Sequence, residues 1–371
     1  MASIDLSRMT TNSGMGRTEA SSSLDHYSQS LCTLLADASV TELCVQSSGE
    51  VFLERPSGWS RVEAAWATTS WARRFARLVA TSTEQRVDPD APLLSATLPG
   101  GERIQVVLPP ATAAGCVAIA IRRPSSDIWS LGELAQRGLF EACCAADPKH
   151  HARNRWLTDS FTSGDWQSFL RHAVQARVNI VVAGATASGK TTLTKALICE
   201  ISCQERLISI EDAAELDLRQ HPNSVRLFYS KDDQGRAHIT PKQLLEASLR
   251  LRPDRILLAE LRGEEAYYFL RNVSSGHPGS ITSIHAGSVA LAFEQLGLLV
   301  KESLAGREMA LRDIHRFLRS VVDVVVYCAR GSGDRRVTEV WWRDAPGAGG
   351  AAGGRHSQAN VPTPGFGAAE A

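Results

Sequence analysis

Asn179-Ile-Val-Val-Ala-Gly-Ala-Thr-Ala-Ser-Gly-Lys-Thr-Thr-Leu-Thr-Lys-Ala-Leu-Ile198 runs from an apolar segment through a glycine-bearing turn into a helical segment. Its first five residues predict a buried strand, and Thr192 to Ile198 predicts a helix. Between them Gly184, Ala185, Thr186, Ala187, Ser188, Gly189, Lys190 and Thr191 match the spacing of a phosphate-binding loop. Backbone N–H groups of such a loop converge on phosphate oxygens, with the positive end of a helix behind them. Gly184 and Gly189 permit conformations and close approaches that side chains obstruct. Lys190 offers charge to the β- and γ-phosphates, Thr191 a hydroxyl to Mg²⁺, and Thr192 opens the helix. The stretch therefore implies binding of a nucleoside triphosphate.

Around it, apolar strands alternate with helices: Leu207–Ile210, Ile256–Ala259, Gly279–Ile284 and Val321–Tyr327. That alternation predicts a mostly parallel sheet covered on both faces. Val337–Trp342 should pair back onto Val324–Tyr327 across Gly331–Asp334, and Asp165 should cap a helix running through Ala176. Upstream, Thr41–Gln46, Glu50–Glu54, Leu93–Leu98, Arg103–Leu108 and Cys116–Ile121 read as strands. A short helix is expected at Leu31–Leu35 and another at Trp66–Thr81. The resulting division is a tail over 1–24, an α+β domain over 25–124, a linker over 125–160, an α/β nucleotide-binding domain over 161–343 and an Ala/Gly-rich tail over 344–371. Both tails are expected to be disordered.

The bulk numbers narrow the class. Of 371 residues, 43% are hydrophobic and 22% charged, the balance of a globular protein with room for two domains. Lys+Arg and Asp+Glu are equal at 40 each, so no overall basic field argues for nucleic acid as the main ligand. No apolar run approaches the roughly 18–20 residues that span a bilayer, and no signal core opens the chain, which predicts a cytoplasmic location. The 8 cysteines include no Cys-x-x-Cys pair, and they are expected to be reduced thiols packed as small hydrophobes. Cys143-Cys144 lacks the spacing of a metal site.

Downstream acids suggest what happens to the phosphate. Glu260 ends an apolar strand, where a carboxylate can hold the Mg²⁺ shell and orient or deprotonate water. Glu211-Asp212 ends another, at the sheet edge where ligands of open α/β sheets bind. The plainer alternative makes Asp212 a helix N-cap. His277 and His285 flank a Gly/Pro loop and one strand. Either could donate to a γ-phosphate or be an ordinary loop or core histidine.

The order of these blocks is recognisable. The loop is followed by Ile208-Ser-Ile-Glu-Asp-Ala-Ala-Glu-Leu216, then Leu251-Arg-Pro-Asp-Arg-Ile-Leu-Leu-Ala-Glu-Leu-Arg-Gly-Glu-Glu-Ala266, then Ser275-Gly-His-Pro-Gly-Ser-Ile-Thr-Ser-Ile-His-Ala-Gly-Ser288. These resemble the Walker A, Asp box, Walker B and His box of the secretion ATPase superfamily. The last two blocks, with Leu98–Val107 and Ile121–Ser125, resemble more narrowly the VirB-type traffic ATPases of type IV secretion systems.

The resemblance implies a RecA-like P-loop NTPase domain with a smaller N-terminal α+β domain, and ATP and Mg as cofactors. It implies a homohexameric ring, peripheral on the cytoplasmic face of a bacterial inner membrane, beside channel and coupling subunits. The ring would power pilus biogenesis or the translocation of DNA or protein, with no sequence-specific nucleic-acid contact of its own. Catalytic roles then fall to Lys190, Glu211, Glu260 and His285, and a metal role to Thr191 with Glu260 through water. Arg103 and Arg122, with Arg123 and less firmly Arg226 and Arg262, are candidates to contact the nucleotide. Ala187 stands where many members carry glycine, which is harmless if its φ is negative. Competing readings are a type II secretion or type IV pilus ATPase, disfavoured by the missing tetracysteine module, a non-hydrolysing nucleotide-binding scaffold, and a direct nucleic-acid motor.

Overall fold

The computed structural model describes residues 19–124, 128–143, 155–230, 235–330 and 334–346. The tail expectations for 1–18 and 347–371 and the Pro148–His151 part of the linker lie outside the described residues.

The N-terminal half is a six-stranded antiparallel sheet of order β3-β2-β1-β6-β5-β4. Its strands are β1 (Glu42–Val45), β2 (Glu50–Arg55), β3 (Gly58–Glu63), β4 (Leu93–Thr97), β5 (Arg103–Val107) and β6 (Ala118–Arg122). Helices α1 (Glu19–Leu35) and α2 (Thr69–Ser82) cover one face. Leu24, Leu31, Phe75 and Val79 from these helices pack against Leu43, Val51, Ile104 and Ile119. Thr68 starts α2 by accepting the Trp71 N–H, an N-cap that satisfies one of the orphan donors of the first turn. Strand β3 had no expectation, because Gly58-Trp-Ser-Arg-Val-Glu63 is half exposed and alternates weakly. Helix α1 begins inside the stretch expected to be tail, and its Leu24 is buried. Serine-rich sequence hid a helix that tertiary packing supports.

The C-terminal half is a seven-stranded sheet of order β13-β12-β7-β11-β10-β8-β9. Strands β7 (Ile180–Gly184), β8 (Leu207–Glu211), β9 (Ser224–Phe228), β10 (Arg255–Leu261), β11 (Ile281–Ile284) and β12 (Val324–Arg330) are mutually parallel. The exception is β13 (Arg335–Trp342), antiparallel to β12 with Val324 opposite Trp342. Strands buried on both faces read as apolar runs, which is why most were legible. Strand β9 was missed because it is an edge strand with alternating burial.

Helix α3 (Leu131–Gln136) lies in the linker stretch; α4 (Arg155–Ser163) begins there but crosses into the C-terminal half, where its Leu157 packs in the core, followed by α5 (Trp166–Gln175), capped by Asp165, and α6 (Lys190–Cys199). Beyond them come α7 (Pro241–Ser248), α8 (Glu265–Ser274), α9 (Val289–Glu302), α10 (Leu304–Arg307) and α11 (Leu311–Val321). Among the described residues no helix is long and apolar enough to cross a membrane.

The two sheets meet at the amino ends of β8, β9 and β10. Gln46 from the N-terminal half accepts from Arg206 (2.8 Å) and donates to Asn223 (3.0 Å). Trp59 donates its indole N–H to Asp254 (3.1 Å), and Arg252 pairs with Glu54 (2.9 Å). The segment after β5 also runs along β9, where the Phe228 N–H donates to the Ala111 carbonyl. The seven described cysteines are free thiols; Cys32, Cys143, Cys199 and Cys203 are exposed, which corrects the expectation of packed thiols for these four. Cys144 lies outside the described residues.

Candidate nucleotide site

Strand β7 delivers its last residue, Gly184, against the neighbouring strand. A Cβ there would come within 2.6 Å of the Cys328 carbonyl oxygen, so only glycine lets the loop start at that point. The loop ends at Gly189, the N-cap of α6, with φ +99°. Ala187 has φ +60°. The condition under which alanine there would be harmless is therefore not met. The loop reverses sharply before Gly189, and an L-residue held in that region costs on the order of 1 kcal/mol. The first-turn N–H groups of α6 have no side-chain cap, leaving donors for an anion.

Lys190 is buried and folded onto its own loop. Its ammonium donates to the carbonyls of Gly184 (2.9 Å) and Ala185 (3.1 Å), lies 3.4 Å from His285 Nδ1 and 3.8 Å from Glu260 Oε1. Burial pulls its pKa below the ordinary lysine value, and the Glu260 carboxylate opposes that shift. Glu260, near the end of β10, lies 2.8 Å from His285 Nε2 and also accepts from Arg262. An ammonium beside Nδ1 and a carboxylate beside Nε2 fit one neutral tautomer of His285, protonated on Nε2. Arg262 in turn bonds Asp212 (2.8 Å). Four parallel strand ends, those of β7, β8, β10 and β11, thus bring Lys190, Glu260, His285, Arg262 and Asp212 together. Thr191 and Thr192 are exposed at the same loop.

Glu211 does not join this set. Its carboxylate is completely buried and takes five donors: Ser209 Oγ (2.7 Å), the N–H groups of Glu215 (2.9 Å) and Leu216 (2.8 Å), and Arg226 through Nε (2.9 Å) and Nη2 (3.0 Å). Every lone pair is committed to the 212–216 turn and to Arg226. Arg226 spends its Nε and Nη2 on this pair, and its side chain is 29% exposed. No helix follows Asp212, so the N-cap reading of that residue is corrected; it bonds the Ala213 N–H and Arg262. His277 sits at the other edge of the sheet, bonded to the Pro253 backbone, and burial lowers its pKa.

Arg103 and Arg122 are likewise away from the loop. They line a cavity of about 580 Å³ with Glu42, Arg250 and Arg252. Residues 249–252 precede β10, so this cavity lies at the amino edge of the sheet and the phosphate loop at the carboxyl edge. Arg123 is used structurally, donating to the carbonyls of Leu35 (3.3 Å) and Asp37 (3.1 Å). Arg335, which had no role in the sequence reading, packs its side chain on Gly189. No sequence signal marked it, because β13 is paired antiparallel 140 or more positions along the chain from the loop it covers.

A family model described as "Type II/IV secretion system protein" matches residues 149–329. The type IV secretion system protein VirB11 of Bartonella quintana is 44% identical over 323 residues, covering 84% of this chain and 90% of that protein. PtlH of Bordetella pertussis, also a type IV secretion system protein, is 40% identical, covering 87% and 96%. The crystal structure of the Brucella suis VirB11 ATPase in complex with sulphate superposes with a TM-score of 0.82 at 43% identity, covering 87% of this chain and 95% of that one.

Proposed function

The chain belongs to the VirB11 family of type IV secretion ATPases and is an ATP hydrolase, and we propose that its chemistry runs at the Lys190–Glu260–His285 cluster. The observation that carries this is the convergence of those side chains at the carboxyl edge, 2.8 to 3.8 Å apart. The Brucella relative was crystallised with sulphate, a tetrahedral anion of the kind a phosphate loop cradles, and its likeness supports the same use of residues 184–192 here.

When ATP binds, the Lys190 ammonium exchanges the Gly184 and Ala185 carbonyls for β- and γ-phosphate oxygens. Glu260 accepts the proton of a water that attacks the γ-phosphorus. The new P–O bond forms as the bond to the β-γ bridging oxygen breaks, and ADP and phosphate leave. His285, protonated on Nε2, can turn from Glu260 to the γ-phosphate, and Arg262 offsets charge on the transferring group. Thr191 and, through water, Glu260 would hold Mg²⁺. A hydroxyl, phosphate oxygens and waters suit that ion, which neutralises phosphate charge. Glu211 acts at one remove, holding Arg226 and the 212–216 turn, and so the position of Asp212.

We take the N-terminal domain as 25–124 extended back through α1, whose Leu24 packs in its core, and the ATPase domain as 161–343 extended back through α4, whose Leu157 packs in its core. The finer reading is a homohexameric ring, peripheral on the cytoplasmic face of the inner membrane, driving pilus biogenesis or transfer of DNA or protein. Arg103 and Arg122 support a ring: lying at the far edge from their own loop, they can reach a nucleotide only on another copy. Phosphate release by size-fractionated protein tests both levels. Turnover in the ring fraction, lost in Lys190→Ala and Glu260→Gln, is the expected result. Full turnover by monomer would remove the trans role, and turnover by Glu260→Gln would remove the assignment of Glu260.

A further inference from the structure

The sheet order gives the phosphate loop two flanks. On one side of β7 lie β11 and β10, which carry His285 and Glu260. On the other lie β12 and β13. Arg335 opens β13 directly opposite Arg330 at the end of β12. Its side chain crosses to the loop: a Cβ on Gly189 would stand 3.2 Å from Arg335 Cδ and 3.5 Å from Arg335 Cβ. The stem is therefore seated on the N-cap of α6 while the residue remains exposed. Among the described residues neither the Arg330 nor the Arg335 side chain has a hydrogen bond or ion pair. Asp334 is engaged by Arg336 at 3.1 Å, and the intervening Gly331-Ser-Gly333 contains no acid.

Two like charges directly opposite on paired strands disfavour each other. A guanidinium with its stem fixed and five donors unused, beside uncapped N–H groups, suits an anion. The polarity of the bound nucleotide follows from the loop itself. Lys190 serves the β- and γ-phosphates, and its ammonium faces Glu260 and His285, so the γ end lies toward β10 and β11. The α-phosphate and nucleoside then leave toward β12 and β13.

We propose that Arg335, with Arg330 opposite it, binds the α-phosphate of the nucleotide. This rests on the assignment of residues 184–192 as the ATP site. Because the α-phosphate is unchanged in the hydrolytic step, the contact is uniform binding, which appears in KM and not in kcat.

The test uses the full chain, with ADP binding by calorimetry and steady-state ATP hydrolysis for Arg335→Met, Arg335→Lys and Lys190→Ala. Methionine keeps a stem over Gly189 without the charge, and thermal melting confirms folding. Arg335→Met is expected to raise the ADP Kd and the ATP KM roughly ten-fold with kcat within about two-fold, and Arg335→Lys to recover part of the loss. If Arg335→Met binds ADP as wild type does while Lys190→Ala does not, the Arg335 assignment alone is overturned. A fall in kcat at unchanged KM also overturns it, because that pattern belongs to the γ end. If Lys190→Ala binds ADP normally, the site itself is misassigned and the proposal falls with it.

Discussion

At the amino ends of β8 and β10, Arg206 and Arg255 are 0% and 1% exposed. At the carboxyl ends of β10 and β11, the His285 side chain is 47% exposed. At the amino edge these two arginines are enclosed by protein, while Arg103 and Arg122 line the open cavity beside them. Arg255 is bidentate to Glu205 (2.7 and 2.8 Å), and Arg206 donates to Leu251, Gln46 and Asn223. At the carboxyl edge, Lys190, Glu260 and His285 hold one another through contacts that a ligand can replace. One edge carries the contacts between the two halves, whereas on the proposed mechanism the other exchanges partners in every cycle. Glu211 is the informative exception, since it lies at the carboxyl edge yet is closed off like those two arginines.

The sharpest break between the two carboxylates comes from Glu260→Gln and Glu211→Ala. Glu260→Gln should lower kcat by roughly 10²–10⁴-fold and leave the melting temperature near wild type, measured by phosphate release and calorimetry. Glu211→Ala should instead cost about 3 kcal/mol of stability, seen as a lower urea midpoint. It leaves Arg226 without its carboxylate and two N–H groups without acceptors. Should Glu211→Ala melt normally and abolish turnover, the contrast between these strand ends fails.

A third experiment probes the amino edge through pH. Glu42 is buried against the junction, and burial lifts its pKa to about 7, against opposing attraction from Arg122, Arg206 and Arg252. Its ordinary value is 4.5, so between those two pH values the folded state binds the extra proton. Stability from this group therefore falls as pH rises through that window and is lost above about 7. Glu42→Gln should flatten the dependence and raise stability at pH 8 by roughly 2–3 kcal/mol, read from urea midpoints at pH 5 and pH 8. A wild-type profile that is flat over that range would mean Glu42 stays ionised.

The smallest effect is expected in the loop. Ala187→Gly relieves the +60° φ but adds freedom to the unfolded chain, for a net gain below about 1 kcal/mol. A lowered midpoint would show that the alanine side chain contributes packing that the backbone strain conceals.

Legibility in the sequence tracked burial and locality. The interior strands and the Gly184–Thr192 loop were readable because two-sided burial and close spacing write themselves into consecutive residues. Strands β3 and β9 were not, being half exposed, and α1 began inside polar sequence. In the site, Glu260 and His285 lie beside Lys190, as their positions at or just after the ends of apolar strands of the parallel sheet suggest. Glu211 satisfies the same rule but does not join them. A strand end fixes which edge a carboxylate reaches, not which donors surround it there.

The sequence by itself determined the phosphate loop, the α/β alternation and the family, all of which reside in contiguous residues. Tertiary structure alone decided that Glu211 serves Arg226 and its own turn, that Arg103 and Arg122 face the opposite edge from their loop, and that Arg335 lies on Gly189. The reason is physical: spacing along a chain sets local conformation, but donors and acceptors are shared out by strand order and domain docking, which pair residues as near as Glu211 and Arg226 and as distant as Gly189 and Arg335.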